Sequence, residues 1–363
     1  MKRATSFLLA VLVALLLSAC GAPATTATPA ESADIPTATP SPTTTVTATP
    51  APTATATPTA TPTPVPTSLT SGLPYDGGYH PILVMIENMP AARPQSGIGQ
   101  ADIVYEAYME SKSVTRFLCV FNDKLPETVG PVRSCRIYFI DIAQEFDSLL
   151  AFFGGPKSSG HPADIYSKFR KTDIAIIADG IGNKYGKYYW RSKRRSAPHN
   201  VYTDLTKLAE LLDPVEPASH FQYSADGLQQ GDEVNSINIV YNKHTVDTTY
   251  EYDAKNSVYL RSIGGKPMMD ALTDEQVTVT NVIVQQARHV SLGTSKGHIN
   301  VKLTGEGKCD IFTGGKHVEG TWKRESTDDI TRYYDGTGQE ITLQPGNTWV
   351  QIIDKSTPFT YSK

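Results

Sequence analysis

Residues 101–122 read ADIVYEAYMESKSVTRFLCVFN. Two β-rich runs, 101–110 and 114–122, flank Ser111-Lys112-Ser113, and this spacing predicts a β-hairpin. Glu106 interrupts the first apolar run and Arg116 interrupts the second. One reading pairs them across the hairpin as a structural ion pair; the other gives them to a ligand. The next stretch, GPVRSCRIYFIDIAQEFDSLL (130–150), changes period. Ile137, Ile140, Phe146 and Leu149, with Ile142 and Ala143, recur at helical spacing and predict a helix from Ser134 to Asp147.

The pattern continues on both sides of this core. HPILVMIEN (80–88), LLAFFGG (149–155) and DIAIIADG (173–180) read as strands. HPADIYSKFRK (161–171) and YTDLTKLAELLD (202–213) read as helices, the latter with Thr203 or Asp204 as N-cap. After an irregular segment at 214–235 almost every run is strand-like. TVDTTYEYD alternates, with Val246, Thr248, Tyr250 and Tyr252 on one face, and NTWVQII (347–353) closes the series. The expected fold class is α+β. A layered sheet/helix domain (71–225) precedes a mostly antiparallel β part (235–363).

The N-terminus sets the compartment. Lys2 and Arg3 precede an apolar run from Phe7 to Leu17, too short to span a bilayer and suited to a signal peptide. Leu17-Ser18-Ala19-Cys20-Gly21 matches a bacterial lipobox. Residues 1–19 are therefore expected to be a lipoprotein signal peptide. Cys20 becomes the acylated first residue, anchored in the cell membrane and facing outside the cytoplasm. Acyl chains hold firmly, since each buried CH2 contributes about 0.8 kcal/mol. Residues 20–70 are expected to be a disordered tether. Thr, Pro and Ala fill 40 of the 50 positions from 21 to 70, which leaves almost nothing to bury. Fully extended, the tether reaches about 150 Å.

Without Lys2 and Arg3 the formal charge moves from -4 to -6, so the basic segment WRSKRRSAPHN (190–200) is a local feature. Outside the cell, nucleic acid ranks below an anionic envelope polymer as its ligand. Three cysteines follow Cys20, and the odd number leaves at least one thiol unpaired. Cys119 and Cys309 sit in strand-like apolar words and read as buried hydrophobes. A Cys119–Cys135 disulfide is left open.

Several words occur together in one order: MIENMPAARPQSGIGQADIVYEAYMES, VTRFLCVF, GPVRSCRIYFIDIAQEFD, SAPHNVY and, near the end, WKR and LQPGNTWVQII. They resemble the YerB-like family of bacterial lipoproteins, from about Leu73 onward. The resemblance implies an α+β fold of layered sheets and helices, and no activity. Cys135 stands where the resemblance leads to a small residue such as Ala, which argues against a catalytic thiol.

No HExxH, paired CxxC or SxxK is present, and the GxSxG spacing at 293–297 leads into the strand-like word HINVKL (298–303) and not into the helix a nucleophile elbow needs, so neither a zinc centre nor a hydrolase elbow is signalled, and no cofactor or metal is expected. The remaining candidates are charged groups set in apolar or turn-forming words. Arg93, Arg116, Arg133, Arg136, His199 and Asn200 are expected to bind a ligand. Arg133 and Arg136, three apart at a helix start, suit an anion. The expected partner is an anionic wall polymer or an envelope protein. The alternative is an envelope hydrolase or transferase using Glu106, Asp141 and His199, with arginines as anion clamps.

Overall fold

The computed structural model describes residues 66–158, 160–213 and 215–363. The signal peptide, Cys20 and nearly all of the tether lie outside these residues. The first half supplies strands β1 (Ile82–Glu87), β2 (Ile103–Tyr108), β3 (Thr115–Phe121), β4 (Leu149–Phe152), β5 (Ile176–Asp179), β6 (Tyr189–Arg191) and β7 (Val201–Thr203). Its helices are α1 (Ile137–Ala143), α2 (Ile165–Phe169) and α3 (Leu205–Ala209). The main strands of the second half are β8 (Ser236–Asn242), β9 (Val246–Asp253), β10 (Val258–Ile263), β11 (Asn281–Gln286), β12 (Gly305–Thr313), β13 (Lys316–Arg324), β14 (Arg332–Asp335), β15 (Thr348–Ile353) and β16 (Phe359–Ser362).

An 11-stranded sheet runs in the order β14-β13-β12-β11-β15-β2-β3-β1-β4-β5, with the short strand Asp232–Glu233 attached to β13. It is continuous across the sequence boundary at 225–235. The joint is β15, which lies parallel to both β2 and β11 and buries all six of its residues. The expected hairpin is β2–β3, and the all-buried runs of β1, β2 and β3 are what strands covered on both faces require. On one face Tyr105 meets Phe146, which follows α1, edge-on at 6.3 Å. The other face meets a second, six-stranded antiparallel sheet containing β10-β9-β8-β16. Its half-buried strands alternate as their sequence predicts: β8 buries every second residue. The fold is α+β with its weight on the sheets.

Register decides the fate of Glu106 and Arg116. Glu106 stands opposite Phe117, and Ala107 stands opposite Arg116. The two charges are one residue out of phase and point to opposite faces, so the cross-hairpin pair does not form. Glu106 instead faces the second sheet and meets Arg261 of β10 at 2.6 Å, both side chains fully buried. The other Glu106 oxygen accepts from Asn88 Nδ2 (3.0 Å) and Thr115 Oγ1.

α1 is half the expected length. Residues 133–135 are taken by neighbouring strands: Arg133 N–H donates to Met85 O, Cys135 N–H to Gly154 O, and Arg133 O accepts from Phe153 N–H. Arg136 is the N-cap, in extended conformation with φ -133°. The two arginines thus precede a seven-residue helix and do not share its face. At the far end Asp147 adopts a left-handed φ of 42° and turns the chain into β4. Cys119, Cys135 and Cys309 are all free and buried, which answers the disulfide question.

The tether's last residues join the fold earlier than the composition suggested. Ser68, Thr70 and Ser71 are buried. Ser68 Oγ donates to Asp123 Oδ1 (2.6 Å), Ser71 Oγ to Asp123 Oδ2 (2.5 Å) and Thr70 Oγ1 to Asp102 Oδ2 (3.0 Å). Burial, reinforced by the charge of Asp123, pushes the Asp102 carboxyl up to about 7. The folded state therefore holds this proton more tightly than the unfolded chain. Its contribution to stability is full below about pH 4 and is lost as pH rises through about 7.

Two outcomes are expected in denaturant titrations. Asp102→Asn should gain stability over the native chain at about pH 8 and lose that advantage near pH 4, because only the carboxyl titrates between them. Glu106→Ala should cost about 3–5 kcal/mol by stranding the Arg261 charge, whereas the double change Glu106→Leu with Arg261→Met should cost less than Glu106→Ala.

Candidate functional site

The parallel trio β1, β4 and β5 ends at Glu87, Phe152 and Asp179. Carboxyl ends of parallel strands are where open α/β sheets place ligands. Glu87 is 1% exposed, yet it ends a strand that is otherwise wholly apolar. Its Oε1 accepts from Arg133 Nε at 3.0 Å, and its Oε2 lies 2.8 Å from His199 Nδ1. Arg116 is the cross-strand neighbour of Glu87. Arg116 NH1 donates to Ser134 O at 2.6 Å, but its buried Nε has no partner among the described residues. Burial, then repulsion from Arg136 and Arg133, lowers this guanidinium to about 9. Arg136 pairs through Nε with Glu110 and donates from NH1 to Cys135 O (2.8 Å). Three guanidiniums therefore gather around two carboxylates.

His199 connects this cluster to an open cleft of about 780 Å³. The cleft's wall is the basic stretch itself, folded back by its own hydrogen bonds. Arg191 NH1 donates to Asn200 Oδ1 (2.7 Å), and Asn200 Nδ2 donates to Ser192 O and Arg195 O (3.3 Å each). Arg195 reaches across to the carbonyls of Ala91, Arg93 and Pro94 and fastens the stretch to the ARPQSG loop. Arg93, Arg194, Arg195, His199, Trp190 and Leu272 line the cleft, and no acidic side chain does. Arg93 is rooted from below: its Nε donates to Asn88 Oδ1 (3.0 Å), and its NH2 to Asn88 O (2.8 Å) and Thr245 O (2.7 Å). Burial and the neighbouring Arg261 charge lower the Arg93 guanidinium to about 10. Trp190 stacks on Tyr202 with ring centres 6.3 Å apart and remains 40% exposed.

The expected site residues thus divide. Arg93 and His199 line the cleft, and Arg116, Arg133 and Arg136 form the adjoining cluster. Asn200 is buried and shapes the loop. Glu106 and Asp141 do not meet His199: Glu106 belongs to the opposite sheet face, and Asp141 pairs with Lys168 of α2. The carboxylate at His199 is Glu87, which sequence reasoning passed over. Its signal was the same as that of Glu106, an acid in a buried strand. Among the described residues no cluster of His, Cys, Asp and Glu is arranged to hold a metal ion.

Removing Glu87 leaves half-buried Arg133 without its carboxylate and takes the cross-strand counter-charge away from buried Arg116. Glu87→Ala is expected to cost about 3–5 kcal/mol in urea unfolding. Arg194→Ala, which removes an exposed charge, should stay within about 0.5 kcal/mol of the native chain.

Residues 70–217 match the model of "Protein of unknown function (DUF3048) N-terminal domain", and residues 237–350 match the corresponding C-terminal domain. The Bacillus subtilis (strain 168) protein named "Putative lipoprotein YerB" is 30% identical over 280 residues, covering 75% of this chain and 81% of that protein. The crystal structure of YerB from Bacillus subtilis superimposes with a TM-score of 0.69 at 29% identity, over 82% of this chain and 99% of that one. On sequence and on fold alike, this chain belongs to the DUF3048 family, alongside YerB.

Proposed function

We propose that this chain is lipid-anchored in the cell membrane, faces outside the cytoplasm and binds a phosphate-bearing anionic polymer of the cell envelope. The observation that carries this reading is the cleft wall: three arginines, a histidine and an exposed tryptophan, with no acidic side chain among them. The exposed Arg194 guanidinium offers a fork that matches phosphate oxygens, Arg93 and Arg195 add positive charge from guanidiniums already bonded within the protein, and an exposed indole face offers a stacking platform for the polymer's carbon skeleton. The unpartnered Nε of Arg116 marks the adjoining cluster as short of acceptors. Acylation of Cys20 would hold the domain at the membrane, and the Thr/Pro/Ala tether would let it range into the wall. The Bacillus subtilis relative carries the word lipoprotein in its name.

The test is a titration of the full-length protein, held in detergent micelles, with poly(glycerol phosphate) and with an uncharged glucan. Saturable binding to the phosphate polymer alone is expected, weakening as salt rises. Arg93→Gln combined with Arg194→Gln should weaken it at least about tenfold, the effect of losing about 1.4 kcal/mol of contacts. Absence of saturable binding overturns the reading, as does equal binding to the glucan.

A further inference from the structure

The pairing of His199 with Glu87 has more order than binding requires. Glu87 is buried, and each of its two oxygens is held by a different donor, Arg133 Nε on one and His199 Nδ1 on the other. This fixes the carboxylate's orientation and, through it, the imidazole. Because Glu87 accepts, Nδ1 carries a proton, which leaves Nε2 as the nitrogen whose lone pair is available in the neutral imidazole. Nε2 makes no hydrogen bond to any described residue, and His199 lines the cleft. A carboxylate-oriented imidazole that lines a ligand cleft and has its second nitrogen unbonded within the protein is the arrangement of a general base. Around it stand guanidiniums suited to the charge that grows on phosphorus-bound oxygens during displacement.

We propose that this site cleaves phosphodiesters of the bound polymer, with His199 as general base and Glu87 as its positioning residue. His199 Nε2 takes a proton from a water molecule, and the water oxygen forms a bond to phosphorus. The bond from phosphorus to the leaving alkoxide breaks, and that alkoxide takes a proton from solvent. His199 then returns its proton to bulk water. One phosphodiester and one water become one phosphomonoester and one alcohol, with no change in oxidation state. Arg194, with the NH1 that Arg93 has left after bonding Asn88 and Thr245, holds the phosphoryl oxygens. The proposal rests on the binding reading, and its substrate is the polymer already assigned to the cleft.

The experiment uses the full-length protein in detergent micelles with poly(glycerol phosphate), following new phosphomonoester ends by phosphorus NMR while binding is measured on the same samples. The native protein should generate such ends. His199→Gln should still bind but cleave about 100-fold more slowly or worse, the usual scale for losing a general base. Glu87→Gln should lower kcat with little change in KM and alter the pH profile of cleavage, which a merely structural role would not do. Binding without new phosphomonoester ends overturns the catalytic proposal alone. Cleavage by His199→Gln at the native rate also overturns it. Absence of binding overturns both readings.

Discussion

The buried ion pair between Glu106 and Arg261 is the contact on which both sheets depend. A single guanidinium touches four strands: it bonds Glu106 of β2 and Tyr250 of β9, and lies over Phe117 of β3 and Trp349 of β15, the last at 4.6 Å. Such a pair is expensive to desolvate, and it holds only while every partner is in place. Here the Glu106 oxygens accept from Asn88, Thr115 and Arg261, so the charge is well satisfied. The same network reaches the cleft, because Asn88 also anchors Arg93. The register of the sheets thus fixes where one cleft-lining cation stands.

A second buried pair does similar work on the opposite face. Arg324 of β13 meets Glu145, just beyond α1, at 2.9 Å, and donates to Asp141 O within the helix. Glu145 also accepts from the amide and hydroxyl of Thr331. Residues of the second half thereby hold the helix that covers the first half's sheet. Each half of the sequence completes the core of the other.

The parts of this fold that were legible in the sequence are those written in local periodicity. The hairpin at 101–122, the apolar strand ending at Glu87 and the alternation of 245–253 all follow from spacing alone. Helix lengths were not legible, because the strands beside 133–135 claim backbone groups that a helix would have used. Partnerships of charges were still less so. Arg261 lies 155 residues from Glu106, and His199 lies 112 from Glu87, so no local rule links them. The basic stretch showed its charge plainly. Its foldback onto the ARPQSG loop depends on carbonyls that any sequence possesses.

The central placement of β15 has a consequence for biogenesis. A chain is made N-terminus first, and β2 would then present an unpaired, apolar edge until some 240 later residues have followed. Only when residues 348–353 slot between β2 and β11 does that edge close. Whatever route the chain takes, N-terminus-first emergence passes through a stage in which this strand edge is a template for misassociation. A membrane anchor at the emerging end would favour escape from it, by keeping each chain apart from its neighbours while the last strand arrives.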